Sequence, residues 1–305
     1  EKRRPMKSET ARTTEKAAPD YWKIGPVDAP VIVENAAVVL PYLPYFLVGW
    51  DIRWAGKSVV GDADVRVEEH ADGTFRVIST GPGGADFSFD NPYDVANGLA
   101  GGLISVHIAR EPRSICLNAG AAKIDNGLVI VIGNSLAGQS SVALHLAVLG
   151  HRFFGDDQIA VTMGLEPVAT CLGLTPKVRL PLPNDCGDAF REFVEGYSSM
   201  QSDEMAYLKL WEAEAGAFGE TVPISALVFL DLVEDGEAVL EPASQSDLVK
   251  TMMSTAFAPH VASADLLAGL TQLAAGNRSY HLRCSSSREA AGLLSSEFRN
   301  SRTVP

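Results

Sequence analysis

An octapeptide with two glycines, Gly133 to Ser140, has the residue types and spacing of a loop that binds phosphate. Five apolar residues, Leu128 to Ile132, precede it, and the apolar spacing from Ser141 to Leu149 predicts a helix directly after it. Glycines let the backbone turn sharply and approach phosphate oxygens, and the N–H groups and positive dipole end of a following helix bind the anion. A glycine turn without any ligand is the alternative interpretation of so short a motif. The predicted phosphate contacts are Gly133, Asn134, Ser135, Ala137, Gly138, Gln139, Ser140 and Ser141.

Position 139 departs from the usual phosphate-loop pattern, because Gln139 stands where a Lys normally bridges the β- and γ-phosphates. A Gln amide can donate only a neutral hydrogen bond, which contributes about 1 kcal/mol against about 1.5–3 kcal/mol for a charge-assisted one. Ser140 keeps the hydroxyl that holds Mg²⁺ in such loops. The sequence therefore retains a predicted nucleotide site but lacks one charge that phosphoryl transfer normally uses.

Two adjacent carboxylates, Asp156 and Asp157, follow the predicted helix and lie at the centre of the next predicted strand, His151 to Val161. A chain that returns to the sheet at this point could bring both carboxylates beside bound phosphates. One of them would take the proton from an attacking hydroxyl, and the other would hold Mg²⁺ directly or through water. A solvated strand end or turn is the alternative interpretation of an isolated pair of aspartates.

The elements that must position these residues alternate between strand and helix patterns after Ser114, which predicts a layered α/β domain. Before Ser114, the sequence predicts a hairpin over Asp64 to Ser79, a helix over Asn91 to Arg110 and a buried helix or helical turn within Ala36 to Trp50. Beyond the acidic pair, we expect mainly helix over Asp188 to Ala217, a strand over Ile224 to Val233, helix over Ser246 to Leu273, a strand over Ser279 to Cys284 and a final helix from Arg288.

The predicted organisation is one nucleotide-binding domain with additional elements folded onto it. Residues 1–20 are expected to form a flexible tail, 21–113 β-rich elements packed on the core, 114–298 the nucleotide-binding domain, and 299–305 a second flexible tail. The formal net charge of −13 in 305 residues argues against partners such as nucleic acid or an anionic membrane, which need clustered cationic charge. Four scattered cysteines without a CxxC pair favour reduced thiols in a cytoplasmic protein. The longest apolar run, Ala36 to Trp50, is too short for a membrane span, and the six histidines lack zinc-site spacing.

The segment Val129 to Val161 resembles the catalytic domain of HPr serine kinase/phosphorylase and the looser group of HPr-kinase-related proteins. The resemblance lies in the glycine loop, the helix, Gly150-His151-Arg152 and Asp156-Asp157, and the C-terminal strand and helix resemble the end of the related proteins. The resemblance implies a phosphate-loop fold of the phosphoenolpyruvate-carboxykinase-like type that uses ATP and Mg²⁺ to phosphorylate a serine of a small protein.

The resemblance also implies roles for individual residues. ATP phosphates would contact Gly133 to Ser141, Mg²⁺ would contact Ser140 and an acidic residue, assigned to Asp157, and the general base would lie within the Asp156-Asp157 pair. The family's Glu-x-Arg segment corresponds to Lys177-Val178-Arg179, which makes Arg179 a catalytic candidate. The family's His before the loop corresponds to Asn118.

Two hypotheses about function follow. The first is an ATP- and Mg²⁺-dependent kinase that acts on a serine or threonine hydroxyl of a protein or peptide partner. The second is a pseudokinase, a nucleotide sensor or interaction scaffold, because Gln139, Asn118 and Lys177 each replace a catalytic group. A small-molecule kinase ranks third, and a homo-oligomer is compatible with each.

Overall fold

The computed structural model describes residues 18–134 and 137–299, which fold as an α/β protein. The predicted contact Ser135, residues 1–17 of the predicted N-terminal tail and residues 300–305 of the predicted C-terminal tail lie outside the described residues.

The N-terminal elements form a sheet with the strand order β3-β1-β2-β4-β5-β6, covered by one helix. The predicted hairpin is confirmed as β4 and β5, and the predicted helix is confirmed as α1, in which the Asn91 side chain accepts a hydrogen bond from the N–H of Asp94 at 3.0 Å. The elements are β1 (Tyr21–Ile24), β2 (Val31–Glu34), a 3₁₀ turn (Leu43–Tyr45), β3 (Ile52–Gly56), β4 (Val65–Glu69), β5 (Phe75–Ser79), β6 (Asp86–Phe89) and α1 (Pro92–Ala109).

The rest of the described chain builds a large central sheet and a small three-stranded sheet. The first group of elements is β7 (Ser114–Leu117), β8 (Ala119–Ile124), β9 (Gly127–Gly133), α2 (Gln139–Val148), β10 (Arg152–Gly155), β11 (Ile159–Thr162), β12 (Val168–Thr170) and β13 (Lys177–Arg179). The second group is a 3₁₀ turn (Asn184–Cys186), α3 (Asp188–Tyr197), β14 (Ser198–Gln201), β15 (Met205–Leu208), β16 (Thr221–Leu232), β17 (Val239–Pro242), α4 (Gln245–Thr255), β18 (Ala256–Phe257), α5 (Ser263–Gly276), β19 (Arg278–Cys284) and α6 (Ser287–Arg299).

Three parallel strands form the centre of the large sheet. β16 pairs in parallel with β9 on one side and with β19 on the other, so all three strands end at the same edge. β8 is antiparallel to both β9 and β10, which gives β10 the direction of β9 and brings its carboxyl end to that edge as well. The loops after β9, β10, β16 and β19 therefore converge, and this edge is where ligands bind in open α/β sheets.

Helices cover both faces of the central sheet. α4 and α5 pack on one face through residues such as Met252 and Leu270, and α2 and α6 pack on the other through residues such as Val142 and Leu294. The alternate residues of β9 are divided between these two cores, which explains why its apolar run is unbroken. α2 packs in addition on α3 and the small sheet β13-β15-β14.

The N-terminal sheet is joined to the central sheet by a continuous core. Buried residues of the N-terminal elements pack against Cys116, Ala160 and Leu172 of the second half of the chain. The indole nitrogen of Trp50 donates a hydrogen bond to the carbonyl of Leu172 at 2.8 Å. Within the described chain, no helix combines the length and the apolar character needed to cross a membrane.

Two local predictions were wrong. The acidic pair does not lie at the centre of a strand, because β10 ends at Gly155 and β11 begins at Ile159, with a bend between them. Helix occupies only the first part of the segment predicted as mainly helical, since α3 ends at Tyr197 and the hairpin of β14 and β15 follows.

The apolar run of 36–50 forms turns and a short 3₁₀ turn, which is the helical turn that was one of its two predicted forms.

Candidate functional site

The glycine loop leaves the sheet at the carboxyl end of β9 and enters α2. Every residue from Leu128 to Ile132 is fully buried, which fixes the start of the loop, and Asn134 is exposed. Gly138 precedes α2 with φ of +88°, a left-handed conformation that side chains disfavour. The first N–H groups of α2 therefore lie at the converging edge of the sheet, where a helix start has donors without intrahelical partners.

Close packing of α2 on β8 depends on the absence of a side chain at Gly120. A Cβ placed at Gly120 would lie 2.3 Å from the carbonyl oxygen of Gln139. The first turn of α2 consequently lies directly on the backbone of β8, and its position is set by the sheet rather than by flexible side chains.

Gln139 closes the glycine loop from within. Its side chain is only 8 % exposed, and its amide nitrogen donates hydrogen bonds to the carbonyls of Gly133 at 3.0 Å and Asn134 at 3.2 Å. In this conformation the amide binds the loop backbone, and its donors are directed inward. Position 139 therefore stabilises the loop here and provides no charge for a ligand.

Asp156 lies at the start of α2 and is the most unusual titratable group of the site. It is 1 % exposed, and its Oδ2 atom has no hydrogen-bond partner among the described residues. Burial raises the pKa of Asp156 to about 7, and the charge of Asp157 adds to this rise. The charge and backbone N–H of Lys177 and the hydroxyl of Ser140 oppose the rise in the pKa. The contact with Ser140 links this carboxyl to the first turn of α2.

Asp157 faces the ammonium of Lys177, a residue that the sequence analysis treated only as the replacement of a catalytic group. Its backbone is in the left-handed region with φ of +59°, and its carboxylate forms a salt bridge with the ammonium of Lys177. Burial lowers the pKa of Lys177, but the charges of Asp157 and Asp156 and the hydrogen bond to Asp157 outweigh it, so that the pKa is raised overall. β13 carries Lys177 and is held opposite Tyr207 of β15. Ser140, Asp156, Asp157 and Lys177 are called the carboxylate site below.

The carboxylate site has a donor set that suits Mg²⁺. Two carboxylates and a hydroxyl are oxygen ligands of the kind that this ion prefers, and Mg²⁺ is commonly held by one or two carboxylates together with substrate phosphates. The unpartnered, buried Oδ2 of Asp156 shows that the protein leaves part of this negative charge unsatisfied. Among residues 18–134 and 137–299, no group of three or more His, Cys, Asp or Glu side chains is arranged to hold a metal ion. A metal ion in the carboxylate site would therefore need further ligands from substrate phosphates.

Two clefts adjoin the glycine loop and the start of α2. One, of about 370 Å³, is lined by Asn134 of the loop and by Phe229 and His281, whose ring centroids are 5.2 Å apart. The other, of about 410 Å³, is lined by Ser141 of α2, by Arg179 of β13 and by Arg288 in the first turn of α6. The second is called the guanidinium cleft below.

The structure brings most of the predicted residues to this edge but gives them different surroundings. Ser140 contacts Asp156, Asp157 pairs with Lys177, and Arg179 of β13 is exposed in the guanidinium cleft. Asn118 is exposed between β7 and β8. Sequence reasoning missed Lys177 as a partner of Asp157 and missed Arg288. For Arg288, the available signal was its place at the start of the predicted final helix, shortly after the predicted strand Ser279 to Cys284.

Comparisons with known proteins give little beyond a distant similarity of structure. No family model matches the sequence, and no curated protein matches it. The chain is similar in structure to the Hpr(Ser) kinase/phosphatase from Coxiella burnetii, with 13 % sequence identity and a TM-score of 0.31, covering 61 % of this chain and 95 % of that one.

Proposed function

We propose that this chain is a phosphotransferase of the HPr-kinase-like type, which transfers the γ-phosphoryl group of ATP to a serine or threonine hydroxyl of a protein or peptide. The observation that carries the proposal is the position of Asp156. A carboxyl buried against the hydroxyl of Ser140 at the start of α2, with a pKa of about 7, is a proton acceptor matched to neutral pH.

The residues of the site divide the work of phosphoryl transfer. The free N–H groups of Gly138 to Ser141 bind phosphate oxygens at the positive end of α2. Ser140 and Asp157 would hold Mg²⁺, and the bound ion would supply positive charge to the phosphoryl group. The unpartnered Oδ2 of Asp156 accepts the proton of the acceptor hydroxyl as its oxygen bonds to the γ-phosphorus and the bond to ADP breaks.

Lys177 supplies the positive charge that position 139 lacks. Its ammonium lies on Asp157, within the carboxylate site, and its raised pKa keeps it charged at neutral pH. With Asp157 as a ligand of Mg²⁺, this ammonium would be available to a phosphate oxygen. The positive charge of Lys177 on β13 would therefore take the place of the Lys that is absent at position 139.

A second candidate function, a pseudokinase that binds nucleotide without turnover, is supported by one specific contact. The Gln139 amide is engaged with the loop carbonyls of Gly133 and Asn134, so the loop is stabilised without a ligand. Gln139→Lys separates the candidates. A silent natural protein that gains ATP turnover in this variant supports the pseudokinase, whereas turnover in the natural protein supports the phosphotransferase.

The experiment that tests the phosphotransferase is a transfer assay with [γ-³²P]ATP, Mg²⁺ and a library of serine and threonine peptides. Asp156→Asn is expected to reduce transfer by about 10²- to 10⁴-fold, because it removes a general base. Asp203→Asn, in the exposed turn between β14 and β15, is the matched control and is expected to retain transfer. Equal activity of Asp156→Asn and the natural protein would exclude the assigned base.

A further inference from the structure

The guanidinium cleft is built by α2 and β13, which also carry residues of the carboxylate site, and by α6. Ser141 follows Ser140 in α2, Arg179 lies two residues after Lys177 in β13, and Arg288 lies just inside α6. Because residues two apart in a strand project from the same side and are separated by about 7 Å, the cleft opens beside the carboxylate site rather than on another face.

The two arginines in this cleft are not used by the protein itself. In the described ranges, the side chains of Arg179 and Arg288 form no ion pair and no hydrogen bond, and both residues are exposed. Arg283, in the preceding strand β19, is in contrast paired with Glu241 at 4.0 Å. Among the described residues that line the cleft, Asp185 is the one carboxylate, so this lining carries an excess of positive charge in a protein with a net charge of −13.

A buried imidazole faces the same cleft. His145 is 7 % exposed and stacks on Phe190 with ring centroids 4.1 Å apart, and its ring has no hydrogen-bond partner among the described residues. Burial, followed by the charge of Arg288, lowers the pKa of His145 to about 4, although Asp185 opposes this shift. His145 is therefore a neutral group that can donate or accept a hydrogen bond at the wall of the cleft.

We propose that the guanidinium cleft binds the anionic group, a carboxylate or a phosphate, of the molecule whose hydroxyl is phosphorylated. The inference rests on the proposed function and adds the chemical class of the acceptor. Guanidinium groups recognise both anions through paired hydrogen bonds. The separation of about 7 Å along β13 places the acceptor hydroxyl within about two residues of its anionic group. A serine or threonine one or two residues from an acidic or phosphorylated residue has this chemistry.

Binding of small probes to the full chain tests the cleft without any turnover. The probes are N-acetylglutamate amide for the carboxylate, N-acetylphosphoserine amide for the phosphate and N-acetylglutamine amide as the neutral control. NMR signals of the His145 ring report binding, measured with and without MgADP. We expect one or both anionic probes to perturb the His145 signals, with MgADP present as well as absent, and the neutral probe to leave them unchanged.

Substitutions in the cleft give the decisive comparison. Arg179→Gln and Arg288→Gln are each expected to weaken the anionic probe about tenfold or more, because each removes a charge-assisted pair. Arg283→Gln, whose arginine pairs with Glu241 outside the cleft, is the matched control and is expected to bind as the natural protein does. The proposal is overturned if the neutral probe binds as tightly as the anions, if MgADP competes with the probe, or if neither cleft variant weakens binding.

Failure of this inference can be distinguished from failure of the proposed function. If probe binding depends on the arginines but the protein has no transfer activity, the anion-binding role of the cleft is supported and the phosphotransferase proposal is contradicted. The converse result is transfer to peptides whose rate and KM do not depend on a neighbouring acidic residue and do not change in Arg288→Gln. It would support the phosphotransferase proposal and contradict the anion-binding role of the cleft.

Discussion

The two sides of the first turn of α2 handle charge in opposite ways. In the carboxylate site, Asp157 and Lys177 neutralise one another, and Asp156 is buried with a raised pKa. In the guanidinium cleft, Arg179 and Arg288 remain exposed and unpaired within the described chain. The comparison teaches that proximity to the same helix start does not determine the state of a charge. Burial and partners determine it, so one side is suited to moving a proton and the other to capturing an anion.

The largest effect on this comparison is expected from the titration of Asp156. A carboxyl with an ordinary pKa of 3.8 and a folded-state pKa of about 7 binds its proton more tightly in the folded state. Its contribution to stability is thus complete below pH 4 and is lost as the pH rises to about 7. Asp156→Asn should remove this loss of stability. Relative to the natural protein, the free energy of unfolding of the variant should therefore increase by on the order of a few kcal/mol as the pH rises from 4 to 7. Urea unfolding across this range measures it, and parallel pH profiles would contradict the buried, raised carboxyl.

A change that displaces α2 should damage both sides together. Gly120→Ala places a Cβ 2.3 Å from the Gln139 carbonyl, and overpacking of this kind costs about 1–3 kcal/mol. Gly292→Ala in α6, where an added Cβ meets no atom within 4 Å, is the control and should be neutral or slightly stabilising. In Gly120→Ala alone, the free energy of unfolding in denaturant and the affinities for MgATP and for the anionic probe should all be lower. Weaker binding of only one of the two ligands would show that the two sites do not share the helix start.

Lys177 should contribute to the affinity for nucleotide as well as to the folded structure. Lys177→Met is expected to weaken MgATP binding about tenfold or more, since a charge-assisted contact is lost. Lys209→Met, at an exposed position after β15, is the matched control. Isothermal titration calorimetry measures both. Unchanged affinity in Lys177→Met would show that this ammonium does not replace the missing charge at position 139.

The smallest expected effect is a change in the titration of His145. The charge of Arg288 lowers the pKa of this imidazole, so Arg288→Gln should raise that pKa, while burial still holds it below 6.5. Arg283→Gln should leave it unchanged. Two-dimensional NMR of the histidine rings between pH 3 and 8 gives the values, and identical titration in both variants would place Arg288 too far from His145 to line the same cleft.

The sequence was informative where local pattern determines structure. The buried run of β9, the glycines of the loop and the apolar spacing of α2 fixed a strand, a loop and a helix within a few residues of their observed bounds. The hairpin of β4 and β5 was predictable for the same reason, because alternation and a glycine turn are short-range signals.

Predictions were wrong or incomplete where pairing is not local. Residues 198–208 have a composition compatible with helix, yet β15 pairs with β13, which lies far earlier in the chain, and tertiary pairing overrides propensity. The same pairing holds Lys177 at Asp157. Arg288 reaches the guanidinium cleft only because β19 lies beside β16, and spacing along the chain does not give strand order.

The most direct test of the central claim, that the start of α2 binds nucleotide phosphates, is thermal unfolding with millimolar MgATP. Ligand binding to the folded state must raise its apparent stability, by about 2.7 kcal/mol at a ligand concentration of 100 Kd. We expect Tm to rise with MgATP and to rise less in Ser140→Ala, with magnesium sulfate at equal ionic strength as the control. The absence of any rise at millimolar MgATP would contradict nucleotide binding and with it the proposed phosphotransferase.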